Sequence, residues 1–219
     1  MKKKIIGILI CMVLLIPALS ITTIAHKPLT ITGEHYVNSA ETERVTCYFL
    51  GTDGDVIPCI KEIPKNDAKQ LSNQLQAASK AFVSLYSSDA SHEEIIESEK
   101  IINSTLTMMN DLGVLPNMVS VEEAKQLLQI PKNQTKISTI LGIIGSAGVG
   151  LLRPIHPAIL PKVIVCWAYL GGATFSVGLN AFSTVLGPQF GFALFFIGII
   201  VSIGVTGVFF GFTPYTFYL

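Results

Sequence analysis

The chain has 219 residues, with 15 basic and 15 acidic side chains and a formal net charge of zero. Only 14% of the residues are charged, against about 25% in typical globular domains. All of the carboxylates lie between Glu34 and Glu123, so the middle of the chain is acidic and the tail is nearly uncharged. This distribution argues against an ordinary soluble chain with charges spread over its surface, and it indicates no nucleic-acid partner.

The N-terminus has the pattern of an export signal. Three lysines follow Met1, an apolar run extends from Ile5 to Ile16, and small residues follow Pro17. A positive start, an apolar segment of about 7–15 residues and small residues beyond it are typical of a secretory signal. We therefore predict a signal peptide or signal anchor over residues 1–25, followed by a polar linker over residues 26–44 outside the cytoplasm.

Two β-prone runs then flank a turn. Val45–Leu50 and Val56–Ile60 enclose Gly51–Asp55, and Asp and Gly tolerate the positive φ that tight turns require. Cys47 and Cys59 fall on opposite arms of this predicted hairpin. In an exported chain such a pair predicts a disulfide, worth about 3 kcal/mol for a short loop. No further Cys or His has ligand spacing, so we predict no metal site.

Three helices are predicted after the hairpin. The first has one apolar stripe, formed by Leu71, Leu75, Ala78, Phe82 and Leu85. Capping-box pairs mark the starts of the other two, Ser91 with Glu94 and Ser120 with Glu123. Isolated helices of this length are marginal, so the stripes predict helices that pack together. Hairpin and helices make up a predicted exported domain over residues 45–136.

Two triplets in this domain match the acceptor pattern for N-glycosylation. They are Asn103-Ser104-Thr105 and Asn133-Gln134-Thr135. Asn103 and Asn133 are therefore candidate glycosylation sites of an exported protein.

The tail, residues 137–219, is almost free of charge. No Asp, Glu, Lys or Arg occurs from Val163 to Leu219. The runs 163–186 and 190–212 each have the roughly 17–25 residues that a membrane-spanning helix needs, and Gly187-Pro188 separates them. Arg153 and Lys162 flank the preceding loop, which favours its placement in the cytoplasm. With the shorter run 137–152, the tail predicts two to three transmembrane helices.

Small residues at helical spacing predict contact faces between these helices, together with one polar side chain, Asn180. The residues are Gly142, Ser146, Gly150, Gly172, Ser176, Asn180, Gly207 and Gly211. A second interpretation remains open. Val, Ile, Thr and aromatic residues with frequent glycine also favour strands, which would give an α+β protein with a Gly-rich C-terminal β-sheet.

The sequence carries no pattern that indicates catalysis. The four histidines are solitary, and no nucleophile elbow, zinc-binding helix, phosphate loop or dinucleotide fingerprint occurs. We therefore expect no enzyme and no cofactor. The expected class is a mainly α membrane protein at the cell membrane, with its acidic domain outside the cytoplasm. Its expected partners are the lipid bilayer and further copies of itself or other membrane proteins.

The expected role is structural, or protein interaction in the cell envelope. One alternative is an accessory subunit of a membrane transporter or translocation complex, because small-residue faces also serve assembly with a multi-span partner. The other alternative is a secreted protein with a C-terminal β-domain, which follows from the strand interpretation of the tail.

Overall fold

The computed structural model describes residues 42–52, 54–87, 90–128, 142–155, 163–177 and 182–218. These residues form nine strands and three helices. In chain order they are β1 Thr42–Leu50, β2 Val56–Pro64, α1 Lys65–Leu85, α2 His92–Asp111, α3 Val121–Leu128, β3 Gly142–Ile155, β4 Ile164–Val177, β5 Phe182–Leu186, β6 Gln189–Leu194, β7 Ile197–Ile203, β8 Thr206–Thr213 and β9 Tyr215–Tyr218. The predicted signal, most of the polar linker, Asn133 and Asn180 lie outside the described residues.

The elements between residues 42 and 128 confirm the local sequence patterns. β1 and β2 pair antiparallel as the predicted hairpin. At the start of α2, the Ser91 hydroxyl accepts from the Glu94 N–H while the Glu94 carboxylate accepts from the Ser91 N–H. Ser120 and Glu123 exchange the same two bonds before α3. Each capping box satisfies N–H groups that the helix leaves unpaired.

The tail is β-sheet, and the prediction of transmembrane helices at 137–152, 163–186 and 190–212 is wrong. Residues 142–218 contribute seven strands, β3 to β9. Among the residues described, no helix combines the length and the apolar character needed to cross a membrane. The predicted mainly α class and the predicted location at the membrane, which rested on those helices, are contradicted together. The α+β interpretation with a Gly-rich sheet fits the structure.

All nine strands belong to one sheet, in the order β2-β1-β7-β8-β3-β4-β6-β9, with β5 paired to β4. The predicted exported domain and the tail therefore share this sheet, because β1 pairs along its length with β7. Helix α1 packs on β3 and β8, α2 packs on α1, and α3 contacts α2 and β7, so the helices form a layer on one side of the sheet. These helices are the second layer that a buried apolar sheet requires.

The sheet bends at β3 and β4. The first half of β3 pairs with both β8 and β4, whereas its second half pairs with β4 alone. A bulge between Val149 and Gly150 separates the halves, and bulges bend and twist a strand. The bend brings β4 over β8, so that the Trp167 and Phe209 rings lie 4.9 Å apart. The Tyr169 hydroxyl donates to the Gly207 carbonyl at 3.1 Å.

Two cores result from this bend. The helix-side core lies between the helices and the sheet, where Phe82 of α1 contacts the rings of Phe210 and Phe212 at 5.7 and 5.2 Å. The inner core lies between the two parts of the bent sheet and contains Trp167, Tyr169 and Phe209. Strands on both sides of the bend therefore bury the side chains that face the other part of the sheet.

The small residues predicted to pack helices lie in strands instead. Gly142, Ser146 and Gly150 belong to β3, Gly172 and Ser176 to β4, and Gly207 and Gly211 to β8. Their small size allows close contact with side chains and backbone of the neighbouring strands. A Cβ on Gly207 would lie 2.7 Å from Cβ of Leu152, and one on Gly211 would overlap the Ile197 carbonyl oxygen. The prediction of helix-packing faces is therefore wrong, although close approach at these positions is real.

Candidate interaction surface

Strand β4 alternates between two environments. Val165, Trp167 and Tyr169 point into the inner core and are 3% exposed or less. Because successive side chains of a strand point to opposite faces, Ile164, Cys166 and Ala168 point away from it. These three side chains are half-buried. The first half of β4 therefore presents apolar side chains on both of its faces.

The same outward direction continues on the neighbouring strands β3, β6 and β9. Register pairing places the outward side chains in three rows across the four strands. We call these eleven side chains the outer face: Leu151, Ala168 and Phe190; Arg153, Cys166, Phe192 and Phe217; and Ile155, Ile164, Leu194 and Tyr215.

The outer face is apolar, and its side chains lie outside both cores formed by the described residues. None of its side chains is buried, and Leu151, Tyr215 and Phe217 are 54%, 56% and 52% exposed. Arg153 is the only charged residue in strands β3 to β9. An antiparallel sheet with one buried face usually has polar side chains on the other. A contiguous apolar face of this kind is typical of an interaction site.

Aromatic side chains give the outer face a rigid part. The Phe192 and Phe217 rings stack with centroids 4.9 Å apart and planes inclined by 24°. Leu170 extends the face at the bulge, because it is the extra residue on β4 opposite the step from Val149 to Gly150. Leu170 follows the inward Tyr169 in the alternation of β4, so it points outward like Ala168, and it is 83% exposed.

A hydrogen-bonded polar group lies beneath the bend and holds the strands in register. The hydroxyls of Ser146 on β3 and Thr174 on β4 lie 2.6 Å apart, and both residues are buried. The Tyr169 ring packs against Gly148, and its hydroxyl bonds Gly207 of β8. Burial raises the pKa of Tyr169 above its ordinary value, so the phenol stays neutral and donates this bond throughout the physiological range.

Three buried polar atoms of the inner core have no hydrogen-bond partner among the described residues. They are the indole Nε1 of Trp167 and both amide atoms of Gln189, a residue that is 5% exposed. Gln189 lies directly opposite Tyr169 in the β4–β6 pair. A buried amide without hydrogen bonds costs about 1–3 kcal/mol. The β4–β6 pair that supports the outer face is therefore less stable than an all-apolar version would be.

We expect Gln189→Met to raise the free energy of unfolding by about 1 kcal/mol, because Met keeps the shape of the side chain and removes the unpaired amide. Urea denaturation followed by the fluorescence of Trp167, the single tryptophan of the chain, measures the change. Gln70→Met on the exposed side of α1 is the control and should change the value by less than about 0.5 kcal/mol. A loss of stability at position 189 would mean that the amide is hydrogen-bonded in solution.

The cysteines predicted to form a disulfide lie directly opposite each other on β1 and β2. In this structure both are free thiols, Cys47 buried and Cys59 half-buried. The Cys59 thiol contacts the Gly113 carbonyl after α2, with sulfur and oxygen 3.6 Å apart. Facing positions on paired strands bring the two side chains to the same side of the sheet. The disulfide stays a prediction for which the register is suitable.

Because the N-terminal pattern predicts export, we expect the Cys47 and Cys59 thiols to be oxidised. Labelling of the unfolded, unreduced protein with a maleimide should then modify Cys166 and leave Cys47 and Cys59 unmodified, as peptide mass analysis can establish. The same sample treated first with a reductant is the control, and all three should be labelled. Modification of both hairpin cysteines before reduction would rule out the bond.

The other predicted site residues are spread over the fold. Asn103 is half-buried on α2, where its backbone carbonyl accepts a hydrogen bond from the Thr107 hydroxyl at 3.0 Å. Glycosylation of its side chain stays a prediction. The described residues contain no cluster of three His, Cys, Asp or Glu side chains able to hold a metal ion. Cys166 lies in the middle row of the outer face. Burial raises the pKa of this thiol to about 11, so it is neutral at physiological pH.

Sequence reasoning did not identify the outer face. Its strands have apolar residues on both sides, so the alternation of polar and apolar residues that marks a half-buried strand is absent. Arg153 was the one indication of this face in the sequence. A single arginine within an apolar run indicates which side of the strand is not buried.

No protein-family model, no curated protein and no solved structure matches this chain. Inferences about function therefore depend on the site itself.

Proposed function

We propose that this chain is an exported, non-catalytic protein-binding module that uses the outer face to bind an apolar surface of a protein. One observation carries the proposal: four neighbouring strands present eleven outward side chains, of which only Arg153 is charged. Export is supported by the N-terminal signal pattern.

Covering the outer face would remove its apolar side chains from contact with water, which favours binding. Leu151 and Phe217 are 54% and 52% exposed, so covering each of them fully gains about half of the 1.5–3 kcal/mol for a whole side chain, roughly 0.8–1.5 kcal/mol. The backbone of β4 and β6 is already paired on both sides, so a partner can cover these strands without leaving N–H or C=O groups unsatisfied. Stacked, immobile rings also lose little side-chain entropy on binding.

The availability of the outer face can be tested with anilinonaphthalene sulfonate, a dye that fluoresces on apolar surfaces. At protein concentrations well below the micromolar range, the native chain should bind the dye. Leu151→Glu and Phe217→Glu should each reduce the signal by about half or more, because each places a carboxylate among the apolar rows.

Ile60→Glu is the matched control for these variants. Ile60 lies on β2, outside the outer face, and is 56% exposed, close to the values for Leu151 and Phe217. The control should leave dye binding unchanged. Absence of dye binding by the folded native chain, or an equal reduction by Ile60→Glu, would contradict the proposed function.

A further inference from the structure

We propose that the partner of the outer face is a second copy of this chain, packed face to face about a two-fold axis that runs along the strands between β4 and β6. This inference rests on the proposed function and adds the identity of the partner. The observation behind it is the composition of the middle row, which reads Arg153, Cys166, Phe192 and Phe217 across β3, β4, β6 and β9.

The middle row is complementary to the same row of a second copy placed in the opposite order. A two-fold axis along the strands exchanges β3 with β9 and β4 with β6. Arg153 then faces Phe217 of the other copy, and Cys166 faces Phe192 of the other copy. A guanidinium over an aromatic ring gains about 0.5–2 kcal/mol. Sulfur beside an aromatic ring is also favourable, and the neutral Cys166 thiol costs little to bury.

The other two-fold arrangement of two facing sheets is disfavoured by charge. An axis across the strands through the middle row, the centre of the outer face, would place each strand over its own copy, so Arg153 would face Arg153 at the interface. No Asp or Glu occurs in strands β3 to β9 to compensate these two cations. Like charges brought together at an interface cost several kcal/mol. The axis along the strands instead places the two arginines at opposite rims, where interfaces normally carry their polar groups.

The size of the outer face sets the expected strength. Standard interfaces bury about 800 Å² per partner with 20–30 residues, so eleven side chains bury roughly 350 Å² per copy. Leu170 at the bulge adds to this area. Two copies together bury roughly 700 Å², which is below the 1,200–2,000 Å² of standard specific complexes, so the dimer should be weak and transient, with a dissociation constant in the micromolar range or weaker.

Sedimentation velocity over about three decades of concentration around the micromolar range measures this equilibrium. Arg153→Glu alone removes the cation, and Phe217→Arg alone places two guanidiniums opposite each other. Each should raise the dissociation constant about tenfold. The double variant Arg153→Glu with Phe217→Arg places a carboxylate opposite a guanidinium across the interface. It should restore the dissociation constant to within about threefold of the original.

Ile60→Arg is the control and should leave the equilibrium unchanged, and Trp167 emission confirms that every variant is folded. Restoration by the double variant supports the dimer with its axis along the strands. Two weakened single variants without restoration would overturn this arrangement. A chain that binds the apolar dye when dilute but stays monomeric at every concentration would overturn the inference and leave the proposed function standing.

Discussion

Gly145→Ala is expected to lower the free energy of unfolding by about 3 kcal/mol, although it adds a single carbon atom. Gly145 lies on β3 where α1 crosses the sheet, and a Cβ at this position would overlap the Ser79 carbonyl oxygen and come within 3.0 Å of Val83 Cγ2. The clash is with helix backbone, which cannot rotate away as the end of a flexible side chain can. Relief requires the helix to move off the sheet, and this movement separates groups throughout the helix-side core.

The effect can be measured by urea denaturation with two probes, Trp167 emission for the inner core and far-UV circular dichroism for the helices. Gly171→Ala is the matched control on the neighbouring strand, because a Cβ there meets no atom within 4 Å. It should change stability by less than about 0.5 kcal/mol. Equal costs for the two substitutions would mean that α1 does not pack on β3 in solution.

Phe82→Ala is expected to cost about 3–5 kcal/mol, the range for removal of a buried phenyl ring. Phe82 is fully buried on α1, and its ring meets three others, those of Tyr86, Phe210 and Phe212, at 5.4, 5.7 and 5.2 Å. These rings come from one helix and one strand of the tail. The alanine variant therefore leaves a cavity at the contact between the helical layer and β8, which joins the two halves of the chain together with the β1–β7 strand pair.

Thermal and urea denaturation of this variant should show one cooperative transition at reduced stability. Ile96→Ala on α2 is the control, since Ile96 is 53% exposed and its truncation should cost less than about 0.5 kcal/mol. If Phe82→Ala were no more costly than this control, or if it unfolded the helices and left the Trp167 environment native, the shared helix-side core would be refuted.

Local patterns predicted the first half of the described chain well. The capping boxes at Ser91 and Ser120 bond within four residues, and the hairpin that pairs Cys47 with Cys59 closes through a short turn. Short-range elements of this kind depend on neighbours that the sequence itself displays. The apolar stripe of α1 was predicted to be buried and is buried, with Leu71, Leu75 and Phe82 fully inaccessible.

The tail was the part that local patterns could not decide. The Gly187-Pro188 break was predicted correctly, but it separates strands β5 and β6 where two helices were expected. A run such as that around Trp167 is uncharged in either interpretation, because both a membrane and a protein core exclude charge. Distinguishing them requires the partner strands, and Trp167 is paired with Leu152, 15 positions away (167 minus 152), and with Gly191, 24 positions away (191 minus 167).

The candidate surface was even less accessible to sequence reasoning. Cys166 and Trp167 are adjacent and both apolar, yet one lies on the outer face and the other in the inner core. Only the bend at the β3 bulge decides which side is enclosed. The row that joins Arg153 to Phe217 spans residues 64 positions apart in the chain (217 minus 153), and strand register alone brings them into line.

The sequence by itself determined the helices, the caps, the hairpin and the exclusion of charge from the tail, because these depend on side chains a few positions apart. The tertiary structure alone decided that the tail is sheet, that helices cover one part of it, and that an apolar face remains outside. The physical reason is that apolar residues specify removal from water but not the neighbour that removes them, and only long-range strand pairing and packing supply that neighbour.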